Sequence, residues 1–108
     1  MATATPIKDG EVIDYTAGGT IAYLDVVSLV TRIGVAAADI ANGAVGELHV
    51  EGIFEIAAVT NASFAVGDAL YYDVAGGVLT KTSQGNIPAG WCVAVKATQT
   101  ATARVKIG

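Results

Sequence analysis

An all-β fold is predicted for this chain, a small single-domain β-barrel or sandwich, and three observations carry the prediction. The composition is 53% hydrophobic but only 6% aromatic, with 13 Gly and many Ala and Thr. Small and β-branched side chains of this kind favour strands and tight turns over long helices. Apolar residues alternate at period two over several stretches, which places them on one face of a strand. Glycine pairs and an Asn-Gly step punctuate those stretches at turn positions. With 108 residues the chain has room for one core, which buries about two-thirds of the unfolded surface.

Residues 1–8 are small and polar, with a proline at Pro6, and read as a flexible N-terminal arm; residues 9–108 form the β-domain. Val12, Asp14 and Thr16 alternate with Ile13 and Tyr15, giving a first strand closed by Gly18-Gly19. Residues 26–30 form a short apolar strand. Residues 33–37 form the next, with Gly34 marking a bend or bulge. Asn42-Gly43 supplies a turn, and the Ala-rich stretch 36–44 makes one turn of helix at most because it lacks an amphipathic stripe. Glu47, His49 and Glu51 alternate with Leu48 and Val50, the cleanest half-buried strand in the chain. Residues 53–58 either continue that strand or start the next across Gly52. A strand over 69–74 turns at Gly76-Gly77 into one over 78–82, completing a hairpin. Residues 83–88 read as a loop broken by Gly85, Asn86 and Pro88. Strands over 91–96 and 102–107 end the domain.

A repeat runs through this pattern. Ile21-Ala22-Tyr23-Leu24-Asp25-Val26-Val27 and Phe64-Ala65-Val66-Gly67-Asp68-Ala69-Leu70 share an apolar–Ala–x–x–Asp–x–apolar pattern at an offset of 43. Residues 34–52 and 90–108 are both 19 residues long, each starting apolar after Gly and ending in an alternating strand. An extra hairpin between Tyr72 and Asn86 lengthens the second copy, so the offset grows to 56. Either the chain is an internal duplication whose halves cover each other's apolar faces, or these are chance recurrences among Ala, Val and Gly.

Charge argues against a nucleic-acid surface. Only 15% of residues are charged and the net charge is −4. So low a charge leaves apolar surface exposed, which points to an oligomer or a partner contact. Lys8, Arg32, Lys81, Lys96, Arg104 and Lys106 are scattered, whereas a duplex binder clusters its phosphate contacts. Cys92 is the only cysteine, in keeping with a reducing cytoplasm and no internal disulfide. No leader pattern opens the sequence and no apolar run is long enough for a membrane helix, which predicts a soluble protein.

Candidate chemistry is sparse. Glu47, His49 and Glu51 share one strand face, and a His between carboxylates can bind a divalent cation or pass protons. The plainer reading is the solvent face of a strand whose other face is Leu48 and Val50. Cys92, between Trp91 and Val93, reads as a buried thiol. Asp25 and Asp68 recur with the repeat and read as turn caps. The nearest approach to a phosphate loop, Gly76-Gly77-Val78-Leu79-Thr80-Lys81-Thr82, has Thr80 where Gly must precede Lys and leads into a strand. No catalytic, cofactor or metal residue is assigned.

Residues 9–16, residues 34–52 with their Gly-Val-Ala start, and Gly67-Asp68-Ala69-Leu70-Tyr71-Tyr72 resemble, in that order, the tailed-phage capsid decoration or cement proteins. The closing Arg104-Val105-Lys106-Ile107 matches too, while Leu24 stands where the family pattern has Gly before the first repeat Asp. The resemblance implies a non-enzymatic virion protein, made in the bacterial host cytoplasm. It would bind the outer surface of the assembled head through the major capsid protein, commonly as a homotrimer on local three-fold positions. It implies no cofactor, and neither nucleic acid nor membrane as partner. A head-fibre base or a minor structural subunit is the alternative. The arm residues Ala2, Thr3, Ala4, Thr5, Pro6, Ile7 and Lys8 are expected to bind the capsid by lying along a strand edge.

Overall fold

Alternating apolar residues separated by tight turns fold here into short antiparallel strands. The computed structural model describes residue 3 and residues 10–108. The expected arm, residues 1–8, lies outside the described residues apart from Thr3. Among the described residues the strands are β1 (Val12–Thr16), β2 (Val26–Ser28), β3 (Ile33–Ala36), β4 (Val45–His49), β5 (Gly52–Ala57), β6 (Ala69–Asp73), β7 (Val78–Thr80), β8 (Ile87–Cys92) and β9 (Thr102–Ile107). They form two sheets, ordered β1-β4-β3-β2 and β5-β9-β8-β6-β7.

The sheets pack as a sandwich and do not close into one barrel. Ile33 and Val35 of β3 share a buried cluster with Ile56, Phe64, Leu70, Leu79 and Val105 of the second half. Ala17, Ala36, Ile40 and Leu48 make a second, smaller core. Neighbours on a strand point to opposite faces, so Val35 serves one core and Ala36 the other.

Setting β7 aside, strand order is the same in both sheets: β1, β4, β3 and β2 correspond to β5, β9, β8 and β6. The hydrogen bonds repeat with it. Ile21 and Ile40 exchange backbone bonds of 2.9 and 2.8 Å, and Phe64 and Lys96 exchange two of 3.0 Å. The Leu24 N–H donates to the Ala36 carbonyl as Gly67 donates to Cys92. Asp25 and Asp68 accept from the N–H of Ala22 and Ala65 at 2.9 and 2.8 Å, which makes them turn caps. Leu24 (φ 68°) matches Gly67 (φ 95°), and Gln99 (φ 78°) matches Gly43 (φ 81°). An L side chain in this left-handed region costs about 1–2 kcal/mol. The turns keep their shape where the residues differ, so duplication, not chance recurrence, accounts for the repeat.

One core position differs in kind. Lys96, 3% exposed, takes the place of Ile40. The connection from β5 to Phe64 is two residues longer than that from β1 to Ile21, and Lys96 ties it down. Its Nζ donates to the carbonyls of Ala62 at 2.6 Å and Ala97 at 3.1 Å and lies 5.0 Å from the Phe64 ring centroid. A buried ammonium needs such partners to offset its lost hydration.

Several boundaries correct the sequence reading. β8 runs over Ile87–Cys92, so the expected loop 83–88 ends earlier and the expected strand 91–96 stops four residues short. Pro88 sits within this sheet because the β6–β8 register shifts between Leu70 and Tyr71, and a bulge accommodates a residue without an N–H. Beyond Cys92 the chain leaves the ladder to pair Lys96 with Phe64. β2 ends at Ser28, because Val30 turns with φ 73°. Of the two readings at Gly52, the start of a new strand is the one that forms. No helical turn forms over residues 36–44, where Ile40 bridges to Ile21.

Gly34 and Gly90 open equivalent segments, yet their surroundings differ. A Cβ at Gly90 would run into the Lys106 carbonyl oxygen, whereas at Gly34 the nearest atom is Leu48 Cδ1 at 3.2 Å. Gly90→Ala is therefore expected to cost about 3 kcal/mol by forcing β8 from β9, and Gly34→Ala much less; urea denaturation of both variants compares them. Lys96→Met keeps bulk but removes the donor to Ala62, with an expected loss of about 1–3 kcal/mol in the same assay.

Candidate functional site

The chemically versatile side chains do not converge. Glu47 and His49 share one face of β4, but Glu51 lies past the strand's end. The His49 ring centroid is 5.8 Å from that of Phe54, tilted by 43°, so the imidazole packs where the two halves meet. Among the described residues no group of three His, Cys, Asp or Glu is placed to hold a metal ion. The Cys92 thiol is buried and donates to the Ala94 carbonyl at 3.0 Å.

A cleft of about 560 Å³ opens between the sheets, with Val26 and Val35 on one side and Phe54, Ile56 and Tyr72 on the other. Asp25 and Glu55 add carboxylates, and Glu55 accepts from the Thr102 hydroxyl at 3.0 Å. Desolvation holds the Tyr72 hydroxyl above its ordinary pKa of 10.0, and the negative charges of Asp25 and Asp73 push the same way. Tyr72 thus stays a neutral phenol and a hydrogen-bond donor. The lining pairs no nucleophile with a base, and what it offers a ligand is contact and hydrogen bonding.

The remaining candidate surfaces are strand faces and edges. β1 is an edge strand, and the Glu11 carbonyl before it accepts the Val50 N–H at 2.9 Å. Glu11, at the start of the described domain, therefore sits beside the end of β4. Of the expected capsid-binding residues, Thr3 is exposed; Ala2, Ala4, Thr5, Pro6, Ile7 and Lys8 lie outside the described residues.

Sequence reasoning missed Trp91. Its apolar neighbours suggest a core run, yet Cys92 points inward and Trp91 outward, 43% exposed. Ile53, Lys106, Trp91 and Ala69 form one row across β5, β9, β8 and β6. The repeat gives no signal for it, since Trp91 stands at the offset of 56 from Val35, and Val35 is buried.

The folded protein holds the Tyr72 proton more tightly than the unfolded chain does. The associated stability is fully present below pH 10.0 and falls as pH rises past that value toward the folded pKa. Alkaline denaturation followed by circular dichroism should therefore be steeper above pH 10.0 in the native protein than in Tyr72→Phe.

No curated protein and no solved structure matches the chain. The family model for phage cement proteins matches residues 7–107, a span that takes in both sheets and the hairpin strand β7. With its two equivalent sheets inside one continuous match, the chain belongs to the phage cement protein family.

Proposed function

We propose that this protein is a capsid decoration protein that binds the outer surface of the assembled phage head through the major capsid protein and stabilises it, without catalysing a reaction. The observation that carries this reading is the family match over residues 7–107. A subunit that bridges head proteins strengthens a shell by adding contacts, a task for broad outward strand faces. A homotrimer on local three-fold positions suits it, because weak interfaces engaged together bind far more tightly than one alone. Synthesis in the host cytoplasm fits a fold whose single Cys92 is buried and unpaired.

Residues 1–8 act as an arm on the domain formed by residues 9–108. Ala2, Thr3, Ala4, Thr5, Pro6, Ile7 and Lys8 would add to an exposed strand edge of the capsid, where backbone hydrogen bonds give affinity. The place of β1, the first strand of the domain, at a sheet edge supports that role.

Incubating purified protein with undecorated expanded heads and imaging them tests the reading. Ordered extra density at every local three-fold position is expected. Density confined to a few vertices would mark a fibre base instead, and an intact oligomer that leaves heads bare would overturn the proposal. Deleting residues 1–8 should leave a folded protein that no longer decorates heads; unchanged decoration would remove the arm from the mechanism.

A further inference from the structure

The two halves are equivalent in fold and opposite in charge balance. Residues 10–51 carry Glu11, Asp14, Asp25, Asp39, Glu47 and Glu51 against Arg32. Residues 52–108 carry Glu55, Asp68 and Asp73 against Lys81, Lys96, Arg104 and Lys106. One sheet face concentrates the contrast. In the first sheet Asp14 stands directly across from Glu47. At the equivalent place in the second sheet Glu55 stands across from Arg104, and Lys106 takes the position of His49.

Like charges directly opposite each other destabilise a strand pair. Asp14 and Glu47 are both exposed. The ion pair found among the described residues joins Lys81 and Asp68 at 3.7 Å, and neither Asp14 nor Glu47 takes part. Among the described residues Arg104 faces Glu55 without forming an ion pair, and Lys106 Nζ donates to the Gly108 carbonyl oxygen at 3.1 Å. The equivalent faces of the two halves thus differ in charge: Asp14 and Glu47 are both acidic on the first, while Arg104 and Lys106 outnumber Glu55 on the second.

Coverage of the two faces differs as well. Val35 is 2% exposed because the second half packs over it. Trp91, in the same place on the second sheet, is 43% exposed. A large aromatic beside Arg104 and Lys106 has the make-up of an interface hot spot. Packing within the chain covers the β3 part of this face in the first half, where Asp14 and Glu47 on β1 and β4 stay exposed, and leaves the Trp91 part open in the second. A head-to-tail ring of identical chains supplies the missing cover, because every open face then meets the next copy.

We propose that the Trp91 face of one copy, with Arg104 and Lys106, docks on the Asp14–Glu47 face of β1 and β4 in a second copy, so that the contacts close into a ring. This rests on the reading of the protein as a homo-oligomeric cement protein and names the surfaces that assemble it. Opposite charge sets the register of the contact and rejects pairing of two like faces.

Native mass spectrometry and circular dichroism would compare the unaltered protein with three variants: Arg104→Glu/Lys106→Glu, Asp14→Lys/Glu47→Lys, and the chain carrying all four changes. The unaltered protein should run as a ring, each reversed pair as a folded monomer, and the fourfold variant again as a ring. In the unaltered protein Trp91 emission should shift to the blue as concentration drives assembly. That dilution series decides the matter if a reversed pair does not fold. A ring that survives either reversal, or a folded fourfold variant that stays monomeric, would overturn the proposal. So would an unaltered protein that is monomeric in solution and shows the Trp91 shift only on heads; the face would then belong to the head protein, and the cement reading would stand. A ring that responds to both reversals as expected but leaves heads bare would support the proposal and remove the cement reading.

Discussion

Each sheet depends on one pair of reciprocal backbone hydrogen bonds. Ile21 with Ile40, and Phe64 with Lys96, tie the turn before one strand to the turn after its neighbour. The strands between are only three to six residues long, and hairpins that short have little stability alone. The ties brace the connections, and the Asp25 and Asp68 caps give their turns an internal acceptor. Because backbone groups make the frame, side chains within it can change without changing the fold.

Divergence within that frame has given the halves different tasks. In the second half Phe64, Leu70, Val105 and Cys92 fill a large core, to which the first half adds Ile33 and Val35. The first half keeps the small core of Ala17, Ala36, Ile40 and Leu48. Lys96 shows how a longer loop is absorbed: a buried cation meets the extra carbonyl that Ile40 never has to meet. Trp91 shows the reverse case, a large apolar side chain at a position that folding of one chain leaves uncovered.

A cement protein works by contact, and this architecture provides contact in repeated form. Two sheets give several outward faces and free edges, and the low charge of the chain keeps the desolvation cost of burying them small. Buried area alone does not fix affinity. A few well-placed anchors do more, and Trp91 has the size and exposure of one.

Period-two alternation and turn residues made the all-β class and the Asp25 and Asp68 caps legible in the sequence, because these depend on neighbours close along the chain, while the repeat stayed open between duplication and chance until the strand order matched. Strand ends were less legible where distant pairing decides them, as at Pro88, which a bulge against Leu70 and Tyr71 admits to a sheet. Of the candidate surface, the alternation of Glu47 and His49 was readable and the exposure of Trp91 was not. The sequence by itself determined which residues lie on opposite faces of each strand. Only the tertiary structure decided which of those faces is covered, because burial depends on how one half packs against the other, and that packing hides Val35 and leaves Trp91 open.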